Sequence, residues 1–220
     1  KNYKKTLEDL RTSIRKLYDK YEKDGTLTLT EMSKYDRMKK FEDDIKFKLS
    51  SLYKNNDLLI KATLRNVFIT TLDNTVDSVV KNSNKPSLVG IKKELDIDTT
   101  VNQEMAGLHW ADRTKHHRNN VIYEINSALK QGLSQGSTYK ELSDRLKDRL
   151  NSDVLKPMRI IRTEGARVYA STQKQSLDRI ASSGLNMVKK WVSAKDERVR
   201  SQHKKMDGVT VPYEDTSSWD

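Results

Sequence analysis

Apolar residues recur every three or four positions along most of the chain, with polar and charged residues between them. That rhythm is the signature of amphipathic helices. Residues 3–23 carry Leu7, Leu10, Ile14, Leu17, Tyr18 and Tyr21 in such a pattern, and "DGTLTLTE" follows. Within it Asp24-Gly25 is a turn signal, and Thr28 with Glu31 forms a capping-box pattern that opens a second helix. From Met32 the seam continues through Tyr35, Met38, Ile45, Leu49, Leu52, Leu59, Leu64, Val67, Phe68, Leu72, Val76 and Val79. A run this long predicts a break or kink at "KNNDLL" (54–59). Two long antiparallel helices, paired as a hairpin, are the simplest arrangement.

"KNSNKPS" (81–87) carries no seam, and Pro86 stops whatever precedes it. A boundary is placed there, between an elongated helical region at 1–85 and a second region at 86–220. A short helix is expected over 87–95. After "DIDTT" helical spacing resumes through Met105, Leu108, Trp110, Val121, Ile125 and Leu129, until Gly132 and Gly136 punctuate the chain. Thr138 and Glu141 suit another capping box, ahead of a seam of Leu142, Leu146 and Leu150. Pro157 suits the first turn of the next helix, expected to run to about Ser183 and end at Gly184. Inside that helix, "IRTEGARVYA" (161–170) poses a puzzle. Glu164 and Gly165 share the face of Ile160, Ile161 and Val168, yet a carboxylate and a glycine are poor occupants of a buried helical stripe.

The rhythm then changes. "NMVKKWVSA" (186–194) is too short for a comfortable helix and reads as a strand. "KDERVRSQHKKM" suits a short helix, Asp207-Gly208 a tight turn, and "VTV" a second strand. The expected fold is therefore mainly α: an elongated helical hairpin or bundle, then a small C-terminal α+β element with a short β-hairpin, cut short at its C-terminus.

Composition agrees with narrow seams rather than a large core, since only 35% of the 220 residues are hydrophobic and 33% are charged. The net charge of +11 favours anionic partners such as nucleic acid. Lys189, Lys190, Lys195, Arg198, Arg200, Lys204 and Lys205 concentrate the excess and make the best candidate for phosphate contact. With no cysteine there is neither a disulfide framework nor a thiolate metal site. No apolar run approaches a membrane span.

Specific catalytic motifs are absent: there is no Walker loop, no GxSxG, no GxGxxG and no kinase signature. "HWADRTKHH" lacks an HExxH arrangement, so His109, Arg113 and His116, with His117 beside them, read as a polar helix face. His203 and Asp207 sit four residues apart, a hydrogen-bonded pair or half a metal site; turn chemistry explains Asp207 as well. Glu164, Asp196 and Glu197 could supply carboxylates for phosphoryl chemistry, but no spacing demands it. Trp191 beside Lys189 and Lys190 could stack on a base, though a tryptophan in a short apolar strand is more often core.

The ordered set of segments carries more information than any one of them. "HWADRTKHHRNNVIYEINSALKQGLSQGSTYKELSDRL", "PMRIIRTEGARVYASTQ" and "KKWVSAKDERVRSQHKKMDGVTV" together resemble the phage Mu F-like minor head protein family, also called phage head morphogenesis proteins. The likeness covers about residues 105–215. The family's Arg-Thr-Glu helix is matched by Arg162, Thr163 and Glu164. Its Trp strand, Asp-x-Arg-x-Arg-x-x-His stretch and Asp-Gly turn are matched by Trp191, Asp196, Arg198, Arg200, His203, Asp207 and Gly208. Many relatives carry a cysteine pair near "SQH"; here only His203 remains, so no metal and no other cofactor is expected.

The resemblance implies a minor structural protein of a tailed-phage head, not an enzyme, acting in head assembly or DNA ejection. Expected partners are the portal protein, double-stranded DNA held nonspecifically through its phosphates, and major capsid or scaffold proteins. The expected location is the head interior, after assembly in the host cytoplasm, with no membrane involved. Two alternatives remain: a metal-dependent nuclease or other phosphoryl-transfer enzyme centred on Glu164, Asp196 and His203, and a helical DNA-binding module unrelated to phages. In the family reading Arg162, Glu164, Gly165, Trp191, Arg198, Arg200, His203, Asp207 and Gly208 form a structural latch. Gly165 would admit a neighbouring element, and Arg198 or Arg200 would pair with Glu164.

Overall fold

Helix α1 (Asn2–Tyr21) buries Thr6, Leu10, Ile14 and Tyr18, one residue per four, as its seam demands. The computed structural model describes residues 2–194, 196 and 199–215. After α1 the chain reverses at Lys23–Thr26, whose two backbone hydrogen bonds measure 2.9 and 3.0 Å. Asp24 and Gly25 both have positive φ, 50° and 74°, the conformation of a tight two-residue hairpin turn. Thr28 caps α2 (Leu29–Ser33), accepting from the Glu31 amide at 3.3 Å. Only half of the expected capping box forms, because the Glu31 carboxylate pairs with Lys34 at 2.5 Å and Arg37 at 3.3 Å instead.

Helix α3 (Arg37–Ser83) is 47 residues long and passes through 54–59 without interruption. The expected break is absent for a physical reason. The buried stripe runs from Leu52 and Tyr53 through Asn56 to Ile60 and Leu64, and Asn56, though polar, is only 8% exposed. Its amide donates to the Tyr3 hydroxyl at 3.3 Å, so it fills a seam position with its hydrogen bond satisfied. Leu59, assigned to the seam from its spacing, is 60% exposed instead. Asn84, with φ 53°, ends the helix, and Pro86 opens a 3₁₀ helix over Pro86–Lys93.

Residues 97–109 depart furthest from expectation. "DIDTT" lies mostly within a helix, α4 (Ile97–Asn102). Met105 and Leu108, read as helical, form a backbone bridge around Ala106 and Gly107, whose φ values are 52° and 73°. The continuous helix begins only with α5 (Trp110–Ser134). Helix α6 (Tyr139–Asp153) starts with the full capping box: Thr138 N–H donates to Glu141 at 2.8 Å and Glu141 N–H to Thr138 at 3.4 Å. Helix α7 (Lys156–Ser182) has Pro157 in its first turn and is followed by Gly184 at φ 81°.

The chain divides into two units. The first comprises 2–68 and 97–169. In it α1, α3, α5 and α6 share a core that includes Leu10, Ile14, Ile45, Leu49, Ile125, Leu129, Leu142 and Leu146. Two helices approach closely at Gly132 of α5, where a β-carbon would collide with the Leu142 side chain of α6. Gly132 thus does more than punctuate the sequence: it lets two helices close on each other.

The second unit comprises 69–96 and the described residues from Ala170 onward. Its buried apolar side chains include Leu72, Val76, Leu88, Ile91 and Ile180, and Lys92 bridges Asp73 at 3.0 Å and Asp77 at 2.8 Å. Strands β1 (Val188–Lys190) and β2 (Thr210–Pro212) pair antiparallel, with Lys189 opposite Val211. A short helix, α8 (Ser201–Met206), lies between them in sequence, so the strands are joined through it rather than by a tight turn. The fold is mainly α with a small antiparallel sheet near the C-terminus. No helix among the described residues is long and apolar enough to cross a membrane.

Gly132→Ala is expected to lower stability by about 1–3 kcal/mol through overpacking against Leu142, read as a drop in thermal midpoint by circular dichroism.

Candidate functional site

Six residues make α4 too short to hold together by itself, and its last carbonyls have no helical partners of their own. Side chains from elsewhere in the first unit supply them. Arg167 of α7 donates to the carbonyls of Thr100 and Val101, each at 2.9 Å. The Nδ1 of His109 lies 2.5 Å from the carbonyl of Asn102, close enough to donate. Arg113 of α5 donates to the carbonyl of Met105, inside the turn that follows. The charged guanidinium of Arg167 at the helix C-terminus also suits the helix dipole.

The two arginines converge on Glu164. Arg113 reaches one carboxylate oxygen at 2.5 Å and Arg167 the other at 2.8 Å. Glu164 is completely buried, while the arginine side chains are 20% and 13% exposed. This is an Arg–Glu–Arg staple: a buried carboxylate fixes two guanidinium groups, and each uses its remaining N–H groups to hold backbone carbonyls, Arg167 those within α4 and Arg113 one in the turn that follows. A buried carboxylate is tolerable only with such pairing, and the puzzle of "IRTEGARVYA" resolves this way. Arg162, in contrast, is exposed.

A second buried carboxylate is not among the residues expected from the sequence. Asp153, the last residue of α6, is fully buried and accepts a hydrogen bond from the Tyr53 hydroxyl. The Tyr3 hydroxyl lies 3.5 Å from the same oxygen. Lys156 sits 2.8 Å from the other oxygen, close enough for charge pairing. The group ties α1, α3, α6 and α7 together. Burial, with the nearby Asp153 charge, raises the Tyr3 hydroxyl to about 12 and pushes Tyr53 up as well. Nearby His117 is lowered, first by burial and then by the Lys156 charge.

The remaining expected latch residues belong to the second unit. There the Trp191 and His203 rings meet edge to face at 5.5 Å. Backbone hydrogen bonds of 2.9 Å run from Trp191 to Val209 and from Gly208 to Trp191. The Asp207 carboxylate accepts from the Ser193 amide at 2.9 Å, and Gly208 takes φ 85° at the turn into β2. Trp191, His203, Asp207 and Gly208 thus hold one small element together. Tyr213 donates to Asp178 at 2.7 Å. Burial pushes the Asp178 carboxyl up, but hydrogen bonds from Lys174 and Tyr213 and the neighbouring lysine charges outweigh it and hold the group below the usual carboxylate range.

Several expectations need correcting. The partners of Glu164 are Arg113 and Arg167, not Arg198 or Arg200; Arg200 is exposed at the start of α8 and Arg198 lies outside the described residues. Spacing puts Arg113 on a polar surface with His116; that histidine is exposed, while Arg113 turns inward to the carboxylate. Gly165 admits no neighbour, since a β-carbon there would meet nothing within 4 Å. Of the basic patch, Lys190, Arg200, Lys204 and Lys205 are exposed. Lys189 is half-buried, donating to the Asp215 carbonyl at 3.0 Å and lying over the Tyr213 ring; Lys195 lies outside the described residues, as does Glu197. Asp196 is exposed. Among the described residues no group of three or more His, Asp or Glu side chains is arranged to hold a metal.

The missed residues left signals. Arg167 follows Glu164 by three, the spacing of a helical ion pair. Asp153 follows Leu150 by three, on the buried stripe of α6, which repeats the anomaly of Glu164.

Residues 123–219 match the family described as Phage Mu protein F like protein. The chain is 27% identical over 205 residues to the minor head protein GP7 of Bacillus phage SPP1, covering 93% of this chain and 66% of that protein. It is also 25% identical over 115 residues to the NAD(+)–arginine ADP-ribosyltransferase EFV of Enterococcus faecalis (strain ATCC 700802 / V583), covering 52% of this chain and 24% of that enzyme. The chain thus spans about two thirds of the first relative's length and about a quarter of the second's. No solved structure matches it.

Glu164→Ala leaves two guanidinium groups without their carboxylate and is expected to cost about 3–5 kcal/mol, whereas Arg162→Ala, at an exposed position, should stay within about 0.5 kcal/mol. Gly165→Ala, in an open helical position, should stabilise by about 0.4–1 kcal/mol. Thermal and denaturant melts of the three variants check the order.

Proposed function

We propose, from the premise that this chain is a Mu F-like protein resembling a phage minor head protein over most of its length, that it is a structural component of a tailed-phage head. In this reading it associates with the portal and with packaged DNA and acts in head assembly or DNA ejection. It resides in the head interior after assembly in the host cytoplasm, with capsid or scaffold proteins as further neighbours. The region from 86 onward carries the Mu F-like role, and 1–85 serves as a helical extension of it.

One observation does most to support a structural role. The most conspicuous polar residue of the family-like motif, Glu164, has both oxygens engaged by arginines and no exposed surface. A general base or metal ligand must reach its substrate or ion, and this carboxylate faces only its own helices. The phosphoryl-transfer alternative centred on Glu164 therefore loses its central residue. The likeness to an ADP-ribosyltransferase covers 24% of that enzyme, too small a share to carry transferase activity over to this chain.

DNA association follows from charge. The net +11 and the exposed Lys190, Arg200, Lys204 and Lys205 offer phosphate contacts without a base-reading element, which favours nonspecific binding.

Co-purification with the portal protein from infected cells tests the head-protein reading; failure to co-purify under conditions that preserve heads would overturn the portal association. For DNA, mobility shifts on a nonspecific duplex should weaken steeply with salt. Lys204→Glu with Lys205→Glu should reduce the log–log salt slope by about 1 for each of the two lysines that touches a phosphate. Salt-independent binding would contradict the phosphate reading.

A further inference from the structure

The helix that buries Glu164 carries a second, solvent-facing stripe. Leu155, just before α7, then Met158, Arg162, Ala166 and Tyr169 follow one another at spacings of three or four, the interval that keeps residues on one helix face. Leu155 is 61% exposed, Met158 59% and Tyr169 50%, and Arg159 and Arg162 are exposed too. Two large aliphatic side chains and a tyrosine, with a small alanine between, repeat the pattern by which helices pack on one another. These three large side chains are left open by the described residues. The open space beside Gly165 adjoins the stripe, so the backbone can be approached closely there.

Charge narrows the occupant. Arg159 and Arg162 flank the apolar positions, and neither forms an ion pair with a described residue. Between 154 and 169 the sole acidic residue is Glu164, which is buried. A second copy presenting the same face across a two-fold axis would set these arginines against their own copies. A DNA duplex would place phosphates against Leu155, Met158 and Tyr169 and leave those side chains without apolar contact. A surface with an apolar centre and basic flanks instead complements one with an apolar seam and carboxylate flanks.

We propose that the outer face of α7 from Leu155 to Tyr169 is a docking surface for an amphipathic helix of another protein, whose apolar seam is bordered by Asp or Glu. Leu155, Met158 and Tyr169 provide the apolar contact, Ala166 the close approach, and Arg159 and Arg162 the pairing that sets orientation. The surface uses none of the residues of the α8 basic patch and does not depend on the proposed role in the phage head.

The test uses the full chain and two labelled helical peptides with the same leucine–alanine seam, one flanked by Glu and one by Lys, followed by fluorescence anisotropy. The Glu peptide should bind at least tenfold more tightly than the Lys peptide. Arg159→Glu with Arg162→Glu should reverse that order, and Met158→Ser with Tyr169→Ser should weaken the Glu peptide at least tenfold. All these positions are exposed, so each variant should keep its helical circular dichroism. Lys204→Glu with Lys205→Glu controls for general basicity and should leave peptide binding unchanged. No binding by the Glu peptide, equal binding of the two peptides, indifference to the α7 charge reversal, weaker binding in the α8 control, or displacement of the peptide by a 30-base-pair duplex would each overturn the proposal. So would self-association of the chain that disappears in the Met158 and Tyr169 variant.

Discussion

A carboxylate without solvent is the constraint around which the first unit is organised. Glu164 cannot sit buried in α7 unless opposite charge comes to it, and Arg113 of α5 and Arg167 of α7 both do. Each arginine then has donors left over, and these hold the carbonyls of Thr100, Val101 and Met105. Electrostatic need in one helix becomes positional order in the segment before another. The energetics of such a triad lie in its completeness: with all partners present it is close to balanced against an apolar alternative, but with one missing a charge is stranded. Asp153 repeats the principle with different chemistry, using tyrosine hydroxyls and one lysine to join the ends of α1, α6 and α7 to the interior of α3.

These buried polar groups also explain what could and could not be read from the residues alone. Elements whose signals are local came through well. The capping box at Thr138, the proline at the start of α7, the Asp24-Gly25 turn and the paired strands around Trp191 each depend on a few adjacent residues. The family-like order of motifs was legible for the same reason. Failures came where a polar residue occupied a seam. Asn56 looked like a breaker because its hydrogen-bond partner, Tyr3, lies 53 residues away. Arg113 looked like surface because its partner lies 51 residues away. Periodicity reports which face a residue occupies, but not whether a distant side chain makes that face habitable.

Helix α7 concentrates both lessons. Its buried ridge is Ile160, Glu164, Val168, Thr172, Ser176 and Ile180, one residue every four. That is the regular ridge of helix packing, yet half of it is polar. A search for an apolar stripe finds only fragments, and the outward face, with Met158 and Tyr169, is as apolar as the inward one. The side that is buried in this helix is set by where its polar groups find partners more than by hydrophobicity.

The six-residue helix α4 shows what this means for the order in which structure can form. Its terminal carbonyls are answered by Arg167 from 66 and 67 residues further along the chain. Closing so long a loop is entropically slow compared with local turns. Until residue 167 has been synthesised and brought close, those carbonyls lack these partners. The docking of α7 is what completes the hydrogen bonding of α4.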